Sequence, residues 1–435
     1  MERRWWMPLR FHLLNQKCMK TTLKSLIIIA IFLFSNLELL LATKMPADTA
    51  LLILKNVNVL DINKGRYRKG RNVAISQGKI LSIDYGRKNW KNAKVVDLSG
   101  KYLIPGLIDG HVHVTAQTKN NIENTYSHLN YYLQHGVTSV RDASGDGASL
   151  LEAQRAINSG KRQGASVYFA AVMAGDWFYN RGINLHKEPY EPWRQLVTEN
   201  TNLDSAMKEA KACGATGVKL YHSFDKVLLP KVVAAAKQHG LKTWGHVMMY
   251  PANPMDVASS RMEVLSHVFM LENLLTDTLF FKRKTPLSYK DSVINTLDIK
   301  PFSDIMKANN SILDATLCVS EERDPWIFTL LKKIYKEGVA INAGTDQIVD
   351  LKSAHPRLLD ELSSFVDKCG FSTIDALRSA TVVSARVIGQ EKNIGTIENG
   401  KMADLLVLNG DPLNDIKELS AIHMVIKSGK IVDIK

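Results

Sequence analysis

The sequence predicts an α/β fold: a (β/α)8 TIM barrel carrying a small β-sandwich built from both ends of the chain. Three observations carry that expectation. Eight compact, mostly apolar segments recur through the middle of the chain: "LIDGHVHV", "VTSVRDAS", "SVYFAAVM", "GVKLYHS", "KTWGHVM", "EVLSHV", "ILDATL" and "VAINAGTD". Stretches of helical period, such as "LDSAMKEAKACG" and "VLLPKVVAAAKQHG", separate most of them. Strand alternating with helix implies parallel strands, and eight repeats match the number that closes a barrel. Third, β-rich runs flank this middle on both sides: "ALLILKNVNVLD", "NVAISQGKILSID" and "AKVVDLSGKYLIPG" before it, "ADLLVLNGD" and "IHMVIKSGKIVDIK" after it. "GKIL" and "GKIV" close the two flanks as hairpins would.

In chain order, residues 1–43 read as a secretory signal, with residues 1–18 as an upstream extension. Lys20 and Lys24 precede an apolar core at 26–34, and small residues follow at 42–43. Glu38 interrupts the run before it reaches the ~18 apolar residues of a spanning helix. Residues 48–104 form the first part of the sandwich, 105–388 the barrel and 389–435 the second part. Polar, irregular sequence at 271–310 is expected to be a loop over the barrel mouth.

The 435 residues carry a net charge of +13, of which the first 42 contribute six Lys/Arg against two acidic groups. No dense basic tract remains, so a nucleic-acid partner is not expected, nor a membrane partner beyond the export signal. Cys18, Cys213, Cys318 and Cys369 are scattered without a CxxC pair, which excludes a disulfide framework and a thiolate metal site.

The chemistry begins with His111 and His113. Two residues apart on one strand, they face the same side and offer two imidazoles to a divalent cation; the alternative is a pair of hydrogen-bonded core histidines. Lys219 and Tyr221 share that spacing in the fourth segment. His246 lies in the fifth, His267 in the sixth and Asp346 at the end of the eighth. Barrel enzymes assemble their sites at these strand ends. A cationic Lys219 in an apolar strand would be costly to desolvate. Carbamylation by CO2 would make it a bidentate anion; an ion pair with a nearby carboxylate is the alternative.

Further out, Arg181 and His186 follow the third segment and could bind a substrate carboxylate. His135 reads as a helix-end residue and Arg141 with Asp142 as an ion pair. His222 reads as packing towards the helices, and Met248 and Met249 as lining or core.

Together these motifs resemble the amidohydrolase superfamily, most of all its imidazolonepropionase-related and Xaa-Pro dipeptidase (prolidase) branch with a carboxylated lysine. The carriers are "LIPGLIDGHVHV", "GVTSVRD", "GVKLY", the two single histidines, "AGTD", "LRSATVVSARVIG" and "IGTIENGKMADLLVLNGDPL". The resemblance implies a binuclear centre, with His111, His113 and Asp346 on the more buried ion. It places His246 and His267 on the second ion, and carboxylated Lys219 between the two. It further implies attack of a bridging hydroxide on an amide in a dipeptide or N-acyl amino acid, and zinc is expected from histidine and carboxylate ligands without thiolate. Tyr221 would steady the oxyanion and Asp346 would carry the proton. Cyclic amides, lactones or phosphotriesters are the other substrates the site could take, and an inactive scaffold is the non-enzyme alternative. A small-molecule substrate and a homo-oligomer are expected. Three departures stand out: "VMMYPANP" after His246, Ser266 where the family has Glu, and the loop "AGDWFYNRGINLH".

Overall fold

The structure is a computed structural model describing residues 51–84, 92–115, 121–184, 187, 189–274, 287–320 and 325–434. The expected signal segment and His186 lie outside the described residues. The first strands are β1 (Leu51–Asp61), β2 (Arg66–Ser76), β3 (Lys79–Asp84), β4 (Ala93–Asp97) and β5 (Tyr102–Pro105). Ten follow: β6 (Leu107–His113), β7 (Val137–Asp142), β8 (Ser166–Ala174), β9 (Arg194–Leu196), β10 (Gly217–Leu220), β11 (Lys242–His246), β12 (Val264–Ser266), β13 (Ile312–Asp314), β14 (Ala340–Asn342) and β15 (Gln347–Ile348). The chain closes with β16 (Leu405–Leu408), β17 (Ile422–Lys427) and β18 (Lys430–Ile431).

The expected barrel is present. Its parallel sheet runs β14-β13-β12-β11-β10-β8-β7-β6-β15, with β9 paired to β8. The path closes because β14 and β15 are two ends of one segment. Between them Ala343 accepts the Gly110 N–H at 3.0 Å, and Asp346 donates its N–H to the His111 carbonyl at 2.7 Å. Gly110 is required there, since a Cβ would lie 2.2 Å from Asn342 Nδ2. Apart from the short β9 and β15, nearly every residue of these strands is buried, as parallel strands covered on both faces must be.

Four barrel helices start on Asn or Asp caps. Asn121, Asp146, Asn202 and Asn253 each accept the N–H three residues on, at the heads of Ile122–Gln134, Gly147–Asn158, Leu203–Ala212 and Pro254–Ser259. Each such cap is worth about 1 kcal/mol. His135 is the C-cap of the first of these helices, its Nδ1 2.8 Å from the Tyr131 carbonyl.

The stretch 271–310 corrects the expectation of a loop. Among its described residues are the helices Leu287–Thr296 and Lys300–Ala308. The second buries Phe302, Ser303 and Met306 against the barrel, so its Lys, Pro and Asp residues are the wet face of an amphipathic helix.

The terminal strands form one sheet, β18-β17-β16-β5-β1-β2-β3, with β4 on β1. Its long β1 is bulged near Asn56 (φ 60°), so its first half pairs with β4 and its second with β5. The sheet curls over its own core of Leu54, Val57, Val73, Leu103, Val407 and Ile426. The two flanks meet where β5 pairs antiparallel with β16, Leu103 opposite Val407. "GKIL" and "GKIV" each close a separate hairpin, and the turns touch: a Cβ on Gly429 would lie 2.8 Å from Gly78 Cα. Pro105 leads through Gly106 directly into β6, so the sheet delivers the chain to the strand that bears the paired histidines.

One buried carboxyl supports the rim. Glu361, on the helix Leu358–Asp367, accepts the N–H groups of Leu317 and Cys318 at 2.9 Å each. Burial pushes its carboxyl up to about 8 from the ordinary 4.5. The folded chain therefore binds this proton more tightly than the unfolded chain does. The group's contribution to stability is greatest below about pH 4.5 and falls as pH rises through 8. Glu361→Gln removes that dependence, so the Tm difference between wild type and variant is expected to shrink from pH 5 to pH 8. Thermal melts across this range check it, and a constant difference refutes it.

Candidate metal centre

β6 places His111 and His113 on one side, as their spacing predicts. Across from them Asp346 follows β14 with left-handed backbone (φ 53°), turning its carboxylate towards both rings. Its Oδ1 lies 2.7 Å from His113 Nε2 and 3.1 Å from His111 Nε2. One donor atom from each residue falls within 4.8 Å of the other two, the grouping a single cation requires. Burial opposes the charge on Asp346, but the His111 and His113 rings outweigh it and hold the carboxyl well below its usual range.

Behind His111 stands a carboxylate that the sequence analysis passed over. Asp314, wholly buried at the end of β13, takes His111 Nδ1 on Oδ2 at 2.6 Å. The same oxygen accepts Arg141 Nη2 and the Ser266 hydroxyl, each at 2.8 Å. Its Oδ1 accepts Asn342 Nδ2 at 2.7 Å. These partners overcome the desolvation penalty and keep Asp314 ionised far below the ordinary range. A carboxylate on the outer nitrogen fixes the tautomer of a ligating histidine and leaves Nε2 free for the centre. The only hint in the sequence was an acid inside an apolar strand segment, "ILDATL".

Arg141 therefore pairs with Asp314 and not with Asp142, correcting the expected pair. Neighbours on a strand point to opposite sides, so Arg141 enters the barrel. Asp142 instead accepts the N–H groups of Val114 (2.7 Å) and Ser144 (3.0 Å), bracing the end of β6.

Lys219 is wholly buried on β10, and its polar neighbour is the Ser266 hydroxyl at 3.2 Å rather than a carboxylate. Burial, reinforced by the charge of Arg141, pushes its amine down to about 7. Much of it is then neutral near physiological pH, the form that can react with CO2.

His246 ends β11, and its ring lies 4.7 Å from that of His267. His267 follows β12 in left-handed backbone (φ 80°), with Nδ1 2.9 Å from Thr316 Oγ1 and 3.8 Å from Asp346 Oδ2. Burial holds both imidazoles well below their ordinary range, so they are neutral, the form that binds metal. His246 Nδ1 is buried and has no hydrogen-bond partner among the described residues. An orphaned buried nitrogen is costly unless something else takes its lone pair or proton. The donors present fit divalent cations.

Tyr221 stands 4.5 Å, ring to ring, from His246, and burial pushes its phenol up to about 12, keeping it protonated. His222 also reaches the centre, 5.0 Å from His246, which corrects the expectation that it faces the helices. β10 stops at Leu220, so strand alternation no longer governs where residue 222 points. Arg181 is exposed in the turn after β8, its guanidinium 6.0 Å from the Trp177 ring. Met248 and Met249 are buried, as expected of lining or core.

Comparison with known proteins follows the same lines. The amidohydrolase family matches residues 102–432. The adenine deaminase of Desulfatibacillum aliphaticivorans is 36% identical over 96 residues, 22% of this chain and 15% of that protein. The chain spans only 15–25% of the first curated relatives it matches. The 5-methylthioadenosine/S-adenosylhomocysteine deaminase of Caldanaerobacter subterraneus subsp. tengcongensis is 23% identical, covering 88% of this chain and 92% of its own length. Among solved structures, a Xaa-Pro dipeptidase with methionine in its active site gives a TM-score of 0.71 at 21% identity, covering 88% of this chain and 100% of that one. With the match running from the strand before the paired histidines almost to the C-terminus, this chain belongs to the amidohydrolase family.

Proposed function

We propose that the chain is a metal-dependent hydrolase that cleaves an amide bond, in a dipeptide such as Xaa-Pro or in an N-acyl amino acid. The observation that carries this reading is the meeting of His111, His113 and Asp346 within 4.8 Å at the open end of a barrel, beside two neutral histidines. Imidazole and carboxylate without thiolate suit zinc. His111, His113 and Asp346 would hold one ion, His246 and His267 a second, and Lys219 would bridge them as a carbamate. Ions held there would supply a water of lowered pKa and polarise the substrate carbonyl.

The chain's own groups do the remaining work. Asp346, ionised and hydrogen-bonded at the centre, takes the proton of the attacking water and passes it to the leaving nitrogen. Tyr221 keeps its phenolic proton and donates it as a hydrogen bond to the developing oxyanion. Asp314 touches no reacting atom; it holds the His111 ring in place. Arg181, exposed after β8, is suited to a substrate carboxylate. The fold shared with a Xaa-Pro dipeptidase supports the same reading. Residues 1–43 are proposed to direct export, which fractionation of expressing cells checks; an uncleaved cytoplasmic product refutes it. Self-association belongs to the same reading, and sedimentation tests it.

The deciding experiment loads the purified chain with zinc and bicarbonate and assays dipeptides and N-acyl amino acids. Lactones, phosphotriesters, cyclic amides and adenine are run in parallel. Amide turnover with about two ions per chain supports the proposal. Turnover confined to another class replaces the substrate assignment, and a folded chain that binds no metal leaves only a scaffold.

Two substitutions sharpen the test. Lys219→Ala is expected to lose activity and second-ion occupancy, with partial recovery on adding a short-chain carboxylic acid; unchanged turnover excludes the bridge. Asp314→Asn is expected to weaken metal binding about 10–100-fold, read by competition with a chelating dye. An unaltered affinity removes its supporting role.

A further inference from the structure

On the His246 side the centre is walled by aromatic rings held by three loops fastened to one another. After β8, Gly175 donates its N–H to the His222 carbonyl at 3.0 Å. A Cβ at Gly175 would lie 2.0 Å from the Ser223 carbonyl oxygen, so only glycine permits this approach. Phe178 then donates its N–H to Ser223 Oγ at 3.2 Å. Ser223, left-handed at φ 69°, donates its own N–H to the carbonyls of Met249 (2.8 Å) and Tyr250 (3.0 Å). Ala252 N–H to Phe224 O, at 3.0 Å, ties the loop after β11 to the loop after β10.

This fastening stacks Phe178 on Tyr221, centroids 5.5 Å apart and planes 21° from parallel, and sets it 5.0 Å from His222. The rings thus run without a break from His246 through Tyr221 and His222 to Phe178. Further out, Trp177 is 60% exposed and Tyr250 53% exposed. Val227 at the head of the helix Leu228–Gln238, Ile348 at the end of β15 and Leu351 after it are also exposed. A lone exposed apolar residue needs no explanation, but rings packed edge and face outward from a reactive centre mark a binding surface. The Arg181 guanidinium lies 6.0 Å from the Trp177 ring.

We propose that this wall is the subsite for an aromatic side chain on the amino acid released by cleavage. The proposal rests on the amide-hydrolysis reading above and narrows it to substrates with an aromatic leaving residue. Rings gain from offset and edge contacts with other rings, contacts a small side chain cannot make.

The test uses the full metal-loaded chain. N-acetyl-L-phenylalanine is expected to show a kcat/KM about tenfold above that of N-acetyl-L-alanine. Trp177→Ala and Phe178→Leu are expected to reduce that ratio to within about threefold of unity. Trp177 is largely exposed, so its variant does not endanger the fold. A second arm needs no turnover: calorimetry compares binding of L-phenylalanine and L-alanine. Tighter binding of L-phenylalanine that weakens in Trp177→Ala supports the wall even where no amide is cleaved, and then only the amide reading fails. A flat profile over side chains together with equal binding of the two amino acids overturns the wall whatever the enzyme hydrolyses.

Discussion

The carboxylate of Asp314 is the constraint on which the centre depends. From β13 it receives His111 of β6, Arg141 of β7, Ser266 of β12 and Asn342 of β14. Through Ser266 the connection continues to Lys219 on β10. One buried anion thereby links most strands of the barrel at the level where the histidines emerge. Such an anion is tolerable only because every partner is in place; removing one partner of a buried charged pair costs about 3–5 kcal/mol. The network that fixes the geometry of the centre is then also part of what keeps the barrel closed.

Backbone conformation adds a second constraint at the same level. Ser223, His267, Thr316 and Asp346 all take left-handed φ, between 52° and 80°. For residues other than glycine each such turn costs of order 1–3 kcal/mol, and it persists only where the surroundings enforce it. The surroundings here are identifiable. Glu361 holds the N–H groups that follow Thr316, Thr316 in turn meets His267, and the His111 carbonyl holds Asp346. At His267 and Asp346 the turn lets the chain leave its strand sharply while the side chain stays aimed at the centre.

These two constraints explain what could be read from the sequence. His111, His113, Lys219, His246, His267 and Asp346 were legible because each sits in or just beyond a short apolar strand, where a two-residue period and a barrel's geometry say where it points. The terminal sheet was legible from its alternation and its turns. His222 was not, because its strand stops two residues earlier and alternation loses its meaning there. Asp314 was not, since a single sequence does not distinguish an acid that organises a core from one that caps a loop. The Arg141–Asp142 pair failed for a related reason: adjacent strand residues diverge, and the partner of Arg141 lies 173 positions away. The helix Lys300–Ala308 was missed because its exposed charged face dominates its composition.

Charge balance gives a physical reason for the lysine to be where it is. Arg141 and Lys219 are both wholly buried, and the positive charge of Arg141 is felt at Lys219, where it disfavours a second cation. Arg141 also keeps one nitrogen, Nη1, without a hydrogen-bond partner among the described residues. A protonated Lys219 would aggravate both conditions. A carbamate there would reverse the sign of the charge, turning repulsion from Arg141 into attraction and offering the centre two further oxygens. Desolvation penalises either charge on that nitrogen, and Asp314 and Asp346 favour the ammonium, so an anion there would depend on the attraction of Arg141 and of cations held by the histidines.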